Sequence, residues 1–148
     1  MTANRQWRDL LKELASDCVL TDGMPFLQYR ELQETFGHEL HPELRGLLEA
    51  TNGVRSPYDY ALLWPIERII DENRRIRCDR RLLKQYMPLD CLFFFADAGN
   101  GDLFGHAVVD NEIRCSDVFL WSHEDDSRTV YSTTLRGFLD QLLKPLAQ

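Results

Sequence analysis

The chain has 148 residues, 44% of them hydrophobic and 28% charged, with a formal net charge of −7. That size suits one domain, residues 1–148, able to bury roughly 70% of the surface its unfolded chain exposes, and the composition excludes a disordered polymer. Apolar runs are too short to span a membrane, and "MTANRQWRDLLKEL" lacks a signal-peptide core, so a cytoplasmic location is expected.

In "NRQWRDLLKELA", Trp7, Leu10, Leu11 and Leu14 recur at i, i+3, i+4 and i+7. This is one helical stripe, with Asn4 as its expected N-cap. "TDGMP" breaks the chain. "FLQYRELQETFG" then predicts a second helix facing inward through Leu27, Leu32 and Phe36 and ended by Gly37. In "HPELRGLLEATNG", Pro42 suits a first helical turn, while Leu44, Leu47 and Leu48 form a face. "YALLWP" is a short strand stopped by Pro65. The same proline opens "IERIIDENRRI", whose Ile66, Ile69, Ile70 and Asn73 are expected to face inward.

After Pro88 the period becomes extended. "CLFFFADA", "LFGHAVV", "EIRC", "DVFLW" and "TVY" read as successive strands. "GNG" supplies a positive-φ turn and Asp110-Asn111 a second hairpin signal. "STTLRGFLDQLL" closes the chain as a helix with Thr133 or Thr134 as cap and Leu135, Phe138, Leu139 and Leu142 as its stripe. The order predicts an α+β domain with helices against a mostly antiparallel sheet.

Charge is distributed unevenly. Asp97 to Asp126 holds Asp97, Asp102, Asp110, Glu112, Asp117, Glu124, Asp125 and Asp126 against Arg114 alone. Arg68 to Lys84 has the opposite bias, which reads as a solvated helix face because aromatic interleaving is missing. A direct nucleic-acid or membrane partner is therefore not expected.

Candidate chemistry is sparse. Asp97 and Asp102 flank "GNG", where carboxylates form turns more often than acid/base pairs. A calcium loop starting at Asp97 would need an acid at Val108. Gly99, Gly101 and Gly105 have the wrong spacing for a phosphate cradle, and a strand follows them. His38 and His41 form H-x-x-H without a supporting cluster and read as surface histidines. Cys18, Cys78, Cys91 and Cys115 contain no C-x-x-C pair and read as buried or half-buried free thiols. No catalytic, metal or cofactor site is expected. Trp64 and Trp121 read either as core residues or, because both precede polar or turn residues, as aromatic anchors at a binding rim.

"LLEATNG", "ALLWPIERIIDENRRI", "YMPLDCLFFFADAGNGDLFGHAV" and "DVFLWSHEDDSRTVYSTTLRGFLDQLL" occur in that order. Together they resemble the SUKH superfamily, in the branch named for a yeast cell-wall assembly regulator. His106 departs from the aromatic residue expected more often there. The resemblance implies a bent antiparallel sheet flanked by N-terminal and C-terminal helices, with no catalytic triad and no required cofactor. It further implies an immunity protein that binds and neutralises a cognate toxin domain encoded nearby, many such toxins being nucleases. A regulatory or scaffold module for an endogenous partner is the alternative. An acidic domain suits the basic surface by which a nuclease holds phosphates. Trp64, Asp97, Asp102, Trp121, Glu124, Asp125 and Asp126 are the candidate partner-binding residues. Monomer and homodimer remain open.

Overall fold

A computed structural model describes residues 3–58 and 60–143. Six helices are present among them: α1 (Ala3–Leu14), α2 (Phe26–Phe36), α3 (Pro42–Ala50), α4 (Ile66–Cys78), α5 (Arg80–Gln85) and α6 (Leu135–Leu143). Short strands β1 (Val19–Leu20), β2 (Val54–Arg55) and β3 (Ala61–Leu63) form one antiparallel sheet. Strands β4 (Leu92–Asp97), β5 (Leu103–Ala107), β6 (Val118–Trp121) and β7 (Arg128–Ser132) form a second, in sequence order. The α+β class follows as expected, with the strands divided between two sheets. No helix among the described residues is long and apolar enough to cross a membrane.

The helix stripes set the core. Ile66, Ile69, Ile70, Asn73 and Ile76 are buried along α4, and Leu135, Phe138, Leu139 and Leu143 along α6. Thr134 caps α6 by accepting from Gly137 N at 3.0 Å. Gly37 ends α2 at φ 77°, a left-handed conformation glycine adopts without strain. Within α2, Leu32 and Phe36 are buried as expected, but Leu27 faces solvent and Tyr29 takes its place on the inward face. Asn4 lies inside α1, which already runs at Ala3, and so does not precede it as a cap.

Phe93, Phe94 and Phe95 are fully buried in β4, which runs against β5 with an irregular register between Phe94 and Ala96. β4 is an edge strand of its sheet, and its outer backbone groups are met from elsewhere. Trp64 N donates to Phe95 O at 2.9 Å. Asn73 Nδ2 donates to Phe94 O at 2.8 Å, and Phe94 N donates to Asn73 Oδ1 at 2.9 Å. Asn73 thus stands in for a neighbouring strand, and α4 docks on the sheet through this amide. Asn73→Leu keeps the branched shape with a somewhat larger volume but strands the buried N–H and C=O of Phe94. Urea unfolding is expected to show a loss of about 3 kcal/mol; a loss under about 1 kcal/mol would refute this role for the amide.

The turns behave as their residues dictate. Gly99 and Gly101 have φ of 88° and 102°. Asp110 and Asn111 have φ of 52° and 58° and close the bridge between Val109 and Glu112. Among the described residues that bridge is the only strand pairing of the "EIRC" segment, so Glu112–Cys115 is a connection rather than a strand. β5 instead pairs directly with β6, because Leu103 to His106 match Trp121 to Val118 in register.

Two expectations about side chains are overturned. Only Cys18 is buried, whereas Cys78, Cys91 and Cys115 are exposed, each lying at or beyond the end of an element rather than on its inner face. His38 is buried against Phe36 and Phe93, and His41 serves as N-cap of α3 by accepting from Glu43 N at 3.2 Å. Neither is a free surface histidine.

Candidate functional site

A cleft of about 460 Å³ opens where the β4–β5 and β6–β7 turns meet α4 and α5. Its lining includes Tyr60, Trp64, Arg68, Asp97, Trp121 and His123. The local sequence explains the placement. Glycines let the β4–β5 turn fold back, the short strand β3 delivers Trp64, and Pro65 starts α4 so that Arg68 follows one turn later.

Asp97, at the end of β4, is the hub. Its Oδ1 accepts from Tyr60 Oη at 2.8 Å and Gly99 N at 3.0 Å. Its Oδ2 accepts from Trp64 Nε1 at 3.0 Å and Arg68 Nη2 at 3.0 Å. The Arg68 guanidinium also lies over the Trp64 ring, 4.7 Å from its centroid. Partial burial, followed by the hydrogen bond to Asp97, pushes the Tyr60 hydroxyl up to about 12, so it stays protonated.

Asp126 repeats the arrangement on the β6–β7 turn. Its Oδ1 accepts from Trp121 Nε1 at 2.7 Å and Arg128 Nη2 at 3.0 Å, and its Oδ2 accepts from Met87 N at 2.9 Å. Burial acts to raise its carboxyl, but the Trp121, Met87 and Arg128 donors outweigh that and hold it below the ordinary value. Two Trp–Asp–Arg triads therefore flank the cleft. They fix both indoles by satisfying N–H groups that would otherwise be buried alone.

Between them, Asp102 Oδ1 accepts from His123 Nδ1 at 2.7 Å and from His123 N at 3.1 Å. Burial again acts upward on this carboxyl, and the His123 donors bring it below its ordinary value. The pairing places the imidazole proton on Nδ1 and orients the ring. Tyr86 Oη donates to His123 O at 2.6 Å, tying the turn to the segment after α5.

The structure brings Trp64, Asp97, Asp102, Trp121 and Asp126 together around one cleft, but each is engaged internally. Trp64 and Trp121 are 0% and 4% exposed, so they shape the cleft from beneath rather than stand as rim anchors. Glu124 and Asp125 are exposed on the adjoining turn. The acidic run is also smaller in effect than its count. Arg68 and Arg128 pair with Asp97 and Asp126, Arg114 pairs with Asp110 and Glu112, and Asp102 is held by its hydrogen bonds from His123. Among the described residues, Asp117, Glu124 and Asp125 are the acids of this run without an arginine, lysine or histidine within ion-pair distance. Sequence reasoning missed Tyr60, Tyr86, His123 and Arg128, although "WSHEDDSR" holds the whole second triad within eight residues.

No group of three or more His, Cys, Asp or Glu residues suited to a metal occurs among the described residues. Comparison with curated proteins gives no match. The family model SUKH_6, described as SMI1-KNR4 cell-wall, matches residues 27–139. That span covers 113 of the 148 residues and contains the cleft, and the chain belongs to this family.

Proposed function

We propose that this SUKH-family chain is a non-catalytic immunity protein that binds a cognate toxin domain, a nuclease by its charge, across the cleft and the β6–β7 turn. The observation that carries this reading is the contrast on that turn. Asp126 is held by three donors, while its neighbours Glu124 and Asp125 stand exposed. Uncompensated carboxylates exposed on a turn beside a cleft suit a basic partner surface and accelerate encounter with it. Support for a non-catalytic role comes from the lining. Among the described residues it holds no serine, threonine or cysteine, its one aspartate, Asp97, is engaged by internal donors, and Asp102 is engaged by the lining residue His123. Cytoplasmic residence belongs to the same reading.

The test is co-expression with toxin domains encoded beside the gene, followed by stopped-flow association. Glu124→Lys with Asp125→Lys is expected to slow association about tenfold at low salt, with a much smaller effect at high salt. Melting temperature should stay within a few degrees of the parent. Unchanged association would remove this turn from the interface, and failure to protect against any neighbouring toxin would remove the immunity reading. Asp126→Lys is unsuitable for this purpose, because it would break the triad beneath the turn.

A further inference from the structure

The basic bias of Arg68 to Lys84 resolves into two unlike halves. Arg68 pairs with Asp97, Arg74 with Glu31 and Asp71, and Arg75 with Glu72 and Asp79. Beyond them, Arg77, Arg80, Arg81 and Lys84 have no carboxylate within ion-pair distance among the described residues. Arg77 packs over Phe36, and its Nε is buried without an acceptor. The other three cations project from α5, a helix with no fully buried residue.

The same short helix exposes apolar surface. Leu83 is 54% exposed and Met87 is 69% exposed. They border a groove of about 240 Å³ whose lining also includes Ile76, Leu82, Pro88 and Leu89, with Arg77 and Asp90 as its charged members. The groove wall is braced. Arg128 donates to Met87 O at 3.0 Å and Pro88 O at 2.9 Å, and Met87 N is held by Asp126. A braced apolar groove beside three exposed cations with no carboxylate in ion-pair distance, in a chain of net charge −7, is a local inversion of the molecule's character.

We infer that α5 and this groove form a second docking surface, for an acidic protein segment that carries an apolar anchor side chain. The concave groove takes the anchor, and Arg80, Arg81 and Lys84 take flanking carboxylates. The chemistry is opposite to that of the β6–β7 turn, so this surface stands or falls separately from toxin binding. A flat anionic bilayer fits less well. It would leave the groove unfilled and meet Glu124 and Asp125 on the turn that Asp126 ties to Met87.

The test uses the full chain and three labelled peptides. One is glutamate-rich with two leucines, one has those leucines replaced by serine, and one has the glutamates replaced by lysine. The first is expected to bind at least about tenfold more tightly than the others, weakening with salt. Arg81→Glu with Lys84→Glu, and separately Met87→Asp, should each weaken it about tenfold. Amide shifts on binding should centre on residues 80–90. These side chains are exposed, so thermal unfolding should confirm that both variants fold. Equal binding of the three peptides, tighter binding of the lysine peptide, or no effect of either variant would overturn the inference. Adsorption to phosphatidylglycerol vesicles without binding of the acidic peptide would overturn it too.

Discussion

Asp97→Ala is expected to lower the free energy of unfolding by about 3 kcal/mol, seen as a fall of roughly 10 °C in melting temperature for a domain of this size. The carboxylate accepts from Tyr60, Trp64, Arg68 and Gly99. Not all four bonds count equally. Tyr60 and Arg68 are partly exposed and can turn to water. Trp64 cannot, because it is fully buried and its indole N–H would be left without an acceptor. Most of the loss therefore comes from Trp64 and from the turn that Gly99 anchors. Asp97→Asn isolates the charge. It preserves shape and one acceptor oxygen but sets an amide N–H against one of the donors, so a smaller loss of about 1–2 kcal/mol is expected. An alanine variant as stable as the parent would show that the hub does not support the fold.

That hub also marks how far the sequence could be read. Local features were legible. The isoleucine stripe of α4, the Thr134 cap, Gly37 and both hairpin turns depend on residues within a few positions of one another. The Trp121–Asp126–Arg128 triad is local too, and a reading that asked what the indole N–H bonds to could have found it. The Trp64–Asp97–Arg68 triad was not legible, because Asp97 lies 33 and 29 residues from its partners and meets them only once α4 is docked on β4. The same distance hid the role of Asn73, whose inward position was clear but whose partner, Phe94, is 21 residues away. Counting charges without partners overstated the acidic face for a related reason. Buried indole N–H groups need acceptors, and here Asp97 and Asp126 serve as those acceptors instead of standing as surface charges.

The two ends of the cleft share a further logic. α4 and the β4–β5 turn meet through Asp97, and the β6–β7 turn meets the segment after α5 through Asp126. Each triad thus closes a junction between elements distant in sequence. Polar hubs at the junctions and apolar packing beneath them leave the exposed side chains of the two turns and α5 free to vary without disturbing the core.

His106→Phe is expected to make the protein markedly more resistant to acid. His106 sits in β5 between Phe93 and Val118 in register, 1% exposed, with its ring 4.9 Å from Phe95 and 5.3 Å from His41. Neither ring nitrogen has a hydrogen-bond partner, and the carboxylate facing His41 is Glu43, whose Oε1 lies 3.7 Å from His41 Nδ1. Burial, with a smaller contribution from the neighbouring His41, pushes the imidazole down to about 3 from 6.5. Between those values the unfolded chain binds a proton that the folded chain refuses, so stability falls as pH falls from 6.5 toward 3. At 1.36 kcal/mol per unit the loss reaches about 4–5 kcal/mol at the acid end. Phenylalanine has no proton to bind and removes this slope. Its larger ring will shift stability at neutral pH by about 1 kcal/mol in either direction through repacking, so the decisive quantity is the difference in slope between parent and variant. Buried His38, also lowered by its burial, keeps its own acid sensitivity in both proteins and cancels in that difference. Urea titrations at intervals from pH 7 to about 4 measure the two slopes. Parallel lines would mean that His106 opens to water or finds a partner before it is protonated.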